Sequence, residues 1–196
     1  MIVYREGGIV EHPREEKALV LDFLEHGYPF EKEGGFRKTS IAQALGMTYF
    51  SLLELVPKKD VFLQPYEEVY VGDGKRDKIH HIRGKLPYSK LTGTASSELE
   101  FILTDIVKKS EDRFVKFFNN SRPLTTRMHE LELLPGLGKK HMWEMIEEKR
   151  AEPFTSFDDI KKRVKLMPDP VKIIVRRIVL ELQGNEKHNI FVDRAF

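Results

Sequence analysis

The chain has 196 residues, enough for one compact domain or two small ones with a buried core, and its 40% hydrophobic content excludes a collagen-like or wholly disordered protein. Its 33 basic and 31 acidic residues nearly cancel to a formal +2, so any polyanion-binding surface must come from local placement of charge. The absence of cysteine removes disulfides, thiolate metal sites, iron–sulfur clusters and cysteine nucleophiles together.

Up to about Tyr88 the chain reads as short strands and turns. Residues 18–24 and 50–56 are short apolar runs, partly β-branched or aromatic, that fit strands or buried helix segments. Between them, residues 39–46 (Thr-Ser-Ile-Ala-Gln-Ala-Leu-Gly) read as one or two capped helical turns ended by glycine. Strand signals follow at Val61–Leu63 and at 68–71, around Pro65, and Gly72-Asp73-Gly74 then turns the chain into residues 78–84. Strands interrupted by one short helix within ninety residues point to a small closed or partly closed barrel of the OB type, with an SH3-like barrel nearly as good a fit. The small, polar span from Ser89 to Ser97 marks the boundary.

From Ser97 the period becomes helical. Ser97 and Glu100 form a capping box, after which Leu99, Ile102, Leu103 and Ile106 share one face. Ser110 opens a second helix with acids in its first turn, and Phe114, Phe117 and Phe118 form a stripe whose spacing marks core. Helices are predicted from Thr126 to Leu134 and from Lys139 to Arg150, joined by Leu134-Pro135-Gly136-Leu137-Gly138. Pro135 stops the first, Gly136 and Gly138 permit backbone closed to other residues, and Leu137 plugs the core. The glycines leave N–H groups uncovered. With the helix dipole, Lys139 and Lys140 they make an anion site suited to one backbone phosphate, with salt-sensitive, sequence-independent affinity. A helix-joining turn that meets no ligand is the plain alternative. Offset by 33 residues stands a second copy: a short helix capped by Ser156, the turn at Pro168-Asp169-Pro170, and a helix from Val171 to Leu182.

These residues resemble the hairpin of the helix-hairpin-helix motif, duplicated over about 122–184. The resemblance implies a non-specific phosphate grip at Gly136, Leu137, Gly138, Lys139 and Lys140. Met142 stands where the motif usually has alanine, and the second turn lacks the glycines, so one grip rather than two is carried over. Over nearly the whole length, through residues 49–58, 69–72 and 130–136, the sequence also resembles an archaeal family, domain-of-unknown-function family 655. That resemblance implies RNA or nucleic-acid binding, with a barrel ahead of the hairpins.

Residues 75–85 carry five lysines or arginines (Lys75, Arg76, Lys78, Arg83, Lys85) against one aspartate. They read equally well as a basic barrel strand guiding a nucleic-acid backbone, with Tyr66, Tyr70 and Tyr88 as stacking partners, or as a solvated face. Adjacent His80 and His81 on a strand point to opposite faces and cannot share a metal, and Asp73 and Asp77 read as turn residues; no metal site is expected. No phosphate loop for nucleotide hydrolysis is present. Asp158 and Asp159 follow the hairpin at a spacing similar to that of base-excision glycosylases, but Ser156-Phe157-Asp158-Asp159-Ile160 reads as a capped helix start. Lys161, Lys162, Arg163, Lys165, Lys172, Arg176 and Arg177 read as a solvated helix surface. The segment from Asn185 carries no assignable chemistry.

The reading is an α+β protein of two domains. An OB-like β-barrel occupies 1–88, connecting helices 89–121, an all-α duplicated helix-hairpin-helix module 122–184, and a tail 185–196. The expected function is non-catalytic nucleic-acid binding, RNA favoured over DNA, without cofactor. The competitors are a protein-docking module of an RNA-processing or ribosomal complex and, less favoured, a nuclease or glycosylase. No run approaches the ~20 apolar residues of a membrane helix and the first residues lack a signal peptide's blocks, so a cytoplasmic protein is expected. Sparse glutamine and abundant Lys, Arg and Glu lean towards a high-temperature source.

Overall fold

The computed structural model describes residues 14–28 and 39–193; the opening residues read above for a signal peptide and the end of the tail lie outside them. Five strands, β1 (Lys17–Leu24), β2 (Ile41–Gly46), β3 (Leu52–Pro57), β4 (Glu68–Tyr70) and β5 (Ile79–Lys85), form one antiparallel sheet in the order β4-β1-β2-β3-β5. The sheet curls as an open half-barrel. Ala18, Val20, Ala42, Ala44, Leu53, Leu55, Val69 and Ile79 fill one face with Leu63 and Val71. Leu21, Leu45 and Leu52 point to the other face, into a larger core shared with the helices. The protein is therefore a mixed α+β structure.

Two strand-half expectations are corrected. Residues 41–46, expected as helical turns, form the central strand, buried along its whole length and paired on both sides. The helix propensity of Ile-Ala-Gln-Ala-Leu is overridden by ladder bonding to β1 and β3 and by burial on both faces of the sheet. Residues 61–63 form no strand: Leu63 is buried in the sheet's own core, but Phe62 is exposed and stacks edge-on against Phe23. Gly46 ends β2 where a Cβ would collide with Glu15, 2.1 Å away. The Glu15 carboxylate accepts N–H bonds from Thr48, Tyr49 and Ser51 at 2.7–3.2 Å. Burial nevertheless pushes its carboxyl above the ordinary range.

The first helix, α1 (Gly93–Lys109), starts before the expected cap. Thr92, not Ser97, is its N-cap, accepting from Ala95 N–H at 3.0 Å and donating to Asp22 Oδ2 at 2.6 Å; Ser97 Oγ instead bonds back to Gly93 O. The buried Gln43 clamps the same corner, donating to Lys90 O and accepting from Thr92 N–H, both at 2.9 Å. Helix α2 (Glu111–Asn120) buries Phe114 and Phe118 as core. Helices α3 (Lys139–Ala151), α4 (Phe157–Arg163) and α5 (Pro170–Leu182) complete the set. Helix α1 packs on both β1 and α5, so one core runs from the sheet through the helices.

The expected helix from Thr126 to Leu134 is absent. Strands β6 (Pro123–Thr125) and β7 (Met128–His129) form a small hairpin there, followed by a 3-10 turn, Glu130–Leu133. The β-branched Thr125 and Thr126 suit a tight hairpin, and once β7 ends at His129 the stretch left before Pro135 has room only for a 3-10 turn.

Candidate functional site

His129 ends β7 and caps the 3-10 turn: its Nδ1 accepts from Leu131 N–H at 3.2 Å, while Glu132 Oε1 accepts from His129 N–H at 2.9 Å. Leu134 and Leu137 are buried anchors, and Leu137 N–H donates to Leu134 O at 3.1 Å. The turn so closed has proline second and Gly136 third at φ +87°, the order a type II turn requires. Gly138 then caps α3 at φ −82°, ψ 171°. That is extended backbone open to any residue, and a Cβ there would meet nothing within 4 Å. Conformation therefore demands glycine at 136 and not at 138.

Helices α1, α4 and α5 have their first N–H groups capped by Thr92, Ser156 and Asp169. Helix α3 has no side-chain cap and no acid in its first turn. Its leading N–H groups face outward with the positive end of the dipole, beside the exposed Lys139 and Lys140, which have no ion pair among the described residues. The second turn lies alongside: a Cβ on Gly136 would sit 3.8 Å from Pro168 Cγ. There Asp169 Oδ1 accepts from Val171 and Lys172 N–H at 2.9 and 3.4 Å, so the α5 start already holds an anion of its own.

A groove of about 510 Å³, reaching the first hairpin at Lys139, lies between the β6–β7 hairpin and α3. Its floor is Met142 and Ile146, Trp143 stands 59% exposed, and Arg122, Arg127, Lys139 and Arg150 rim it. The Lys149 ammonium reaches Ser121 O at 2.7 Å, Ser121 Oγ at 2.8 Å and Phe118 O at 3.2 Å, capping the end of α2. Burial holds its pKa below the ordinary lysine range. The His129 imidazole, at the same wall, is likewise lowered by burial and by Lys149. A helix over 126–134 would leave no groove here; the β6–β7 hairpin that replaces it brings Arg122 and Arg127 beside α3.

The basic segment 75–85 is placed on edge strand β5 and the loop before it. Its charge is largely matched: Lys78 pairs with Glu67 at 2.5 Å and Arg83 with Glu54 at 2.8 Å, while Arg76 Nε donates to Gly72 O at 2.9 Å. Burial lowers the Lys85 pKa, opposed by Asp193, and Lys75 is exposed. Of the three tyrosines, Tyr66 donates to Glu98, Tyr70 covers Gly72 and Gly74 on the opposite edge strand, and Tyr88 packs into the helical core. None stands on β5.

His80 and His81 do not point apart. The β3–β5 register skips His80, and at this bulge the two Nδ1 atoms come within 2.8 Å. Among the described residues no three His, Asp or Glu side chains gather as a metal site. Asp158 pairs with Lys161 at 2.6 Å, and Asp159 accepts from Thr155 N–H at 3.0 Å and Arg163 at 3.3 Å. The Thr155 bond is the chief cause holding the Asp159 carboxyl below its ordinary range.

Two cations read as solvated surface are structural. Arg163 donates to Glu148 O and Glu152 O at 2.6 and 2.7 Å, closing the end of α3, and lies over Phe154. Arg177 is buried against Glu181 at 2.8 Å and donates to Leu133 O at 3.0 Å, next to the hairpin. Glu181 in turn accepts the N–H groups of Ile190, Phe191 and Val192 at 2.8–3.0 Å, which folds the tail onto the core.

No helix among the described residues is long and apolar enough to cross a membrane. Residues 14–193 match the family model described as protein of unknown function DUF655. An uncharacterised protein of Methanocaldococcus jannaschii, MJ0038, is 46% identical over 178 residues, 91% of this chain and 79% of the relative. The crystal structure of Af1531 from Archaeoglobus fulgidus, of the same family, superposes with a TM-score of 0.83 at 43% identity, covering 91% of this chain and all of that one. By sequence and by fold alike, the chain belongs to the DUF655 family.

Proposed function

We propose that the protein is a non-catalytic nucleic-acid-binding protein, RNA favoured, that grips a backbone phosphate at Gly136–Lys140. In this reading residues 122–184 are a duplicated helix-hairpin-helix unit whose first helix is shortened to a 3-10 turn, and the curled sheet is an OB-like module. The observation that carries it is Gly138: neither its φ nor its surroundings require glycine, and a bare residue at an uncapped helix start leaves room for a phosphate against the N–H groups. Asp169 supports the same logic from the other side, since as the N-cap of α5 it puts a carboxylate at that helix start where α3 has the bare Gly138. The β5 cations are the weaker contact, because Glu54 and Glu67 already neutralise two of them.

The test is a titration against single-stranded RNA, duplex RNA and duplex DNA at several salt concentrations. Log affinity falling linearly with log salt supports phosphate capture, and the preferred ligand chooses between RNA and DNA. No binding at low salt overturns the reading. Docking onto a protein partner would then lead, favoured by Leu166, 89% exposed at the tip of the second turn.

A further inference from the structure

We infer that the groove between the β6–β7 hairpin and α3 receives an unpaired base of a single-stranded RNA, next to the phosphate held at Gly136–Lys140; this rests on the phosphate-grip reading. Trp143 lies four residues after Lys139 and three after Lys140, so the three side chains leave one face of α3 within about one 5.4 Å turn, and Lys139 lines the groove with Trp143. A strand whose phosphate meets the hairpin therefore brings its neighbouring base over the groove. The 510 Å³ volume falls within the roughly 300–1,000 Å³ of small-ligand sites.

The chemistry of the walls selects a nucleotide. A tryptophan left 59% exposed over an apolar floor of Met142 and Ile146 offers a stacking plane. Around it the charge is positive and unmatched: Arg127, Lys139 and Arg150 have no ion pair among the described residues, and Arg122 reaches Glu130 only at 3.8 Å. Glu132, the one acid on the wall, accepts His129 N–H, and the lysines and arginines of the lining outnumber it. A flat π surface ringed by arginines suits a base flanked by phosphates, and a base is available for such stacking only where it is unpaired. An RNA recognised this way is held by stacking and charge, so many bases are accepted.

Trp143 is the single tryptophan, so its fluorescence reports the groove directly. The full chain is titrated at low salt with a short oligouridylate and with an abasic sugar-phosphate oligomer of the same length, and labelled oligomers follow Trp143→Phe and Trp143→Ala by anisotropy. The expected result is quenching by oligouridylate with about ten- to hundredfold tighter binding than the abasic oligomer. Trp143→Phe should keep most of that advantage, and Trp143→Ala should lose it while still binding the abasic oligomer. Equal affinity for both oligomers without quenching overturns the groove assignment and leaves the phosphate grip standing. Failure of both to bind overturns the grip and the groove together. Quenching by an acidic polypeptide but not by oligouridylate overturns the assignment in favour of a protein partner.

Discussion

Gly138→Asp gives stability and binding opposite signs. The position has extended backbone and open space, so an aspartate enters without strain, and its carboxylate can accept from the α3 N–H groups as Asp169 does at α5. Replacing a glycine cap by aspartate contributes a few tenths to about 1 kcal/mol, which for a chain of this size raises Tm by roughly 1–4 °C. The same carboxylate occupies the phosphate's place. Loss of charge-assisted bonds worth about 1.5–3 kcal/mol weakens RNA binding by about ten- to hundredfold, and the salt slope falls by about one phosphate. Thermal unfolding and RNA titration of the same preparation measure both. A variant that is more stable and binds RNA as tightly as the parent, at an unchanged slope, would refute the phosphate grip, because the N–H groups would then be filled without consequence.

Removing one partner of the buried Arg177–Glu181 pair, whose side chains are 3% and 0% exposed, should be costly. Glu181→Ala leaves Arg177 paired with Glu186 alone at 2.8 Å and leaves three tail N–H groups without their acceptor, a loss of about 2–4 kcal/mol read by urea denaturation; a loss below 1 kcal/mol would show that the node is dispensable. Gly46→Ala drives a methyl into the buried Glu15 carboxylate and should destabilise by about 3 kcal/mol or more, since Glu15 cannot leave without abandoning three N–H donors. His129 titrates below the ordinary imidazole value of 6.5 because burial disfavours its charged form. The unfolded chain therefore binds the proton more readily, so the stability it contributes is fully present above pH 6.5 and is lost as pH falls through the lowered folded value. His129→Asn keeps a capping acceptor without titrating, and its stability between pH 7.5 and 5 should decline less than that of the parent.

Local pattern determined the elements whose signals agree with their surroundings. The caps at Ser156 and Asp169, the Pro170 helix start, the Pro135-Gly136 turn and the phenylalanine stripe were all legible, because each is settled by the residue's own backbone preference or by an unbroken helical period. The turn itself could likewise be placed from sequence, since proline second and glycine third punctuate the chain whatever lies around them.

Tertiary structure decided the rest. Residues 41–46 carry helix formers, yet a position between two strands made burial and ladder bonding outweigh propensity. Arg177 and Arg163 share the composition of a solvated face, and only packing revealed that carbonyls and carboxylates distant in the chain surround them. His80 and His81 meet because of a bulge that no alternation rule contains. The groove beside Trp143 exists only once the β6–β7 hairpin folds over α3. Its arginines come from segments whose proximity is a matter of long-range contact, and a one-dimensional pattern carries no record of it.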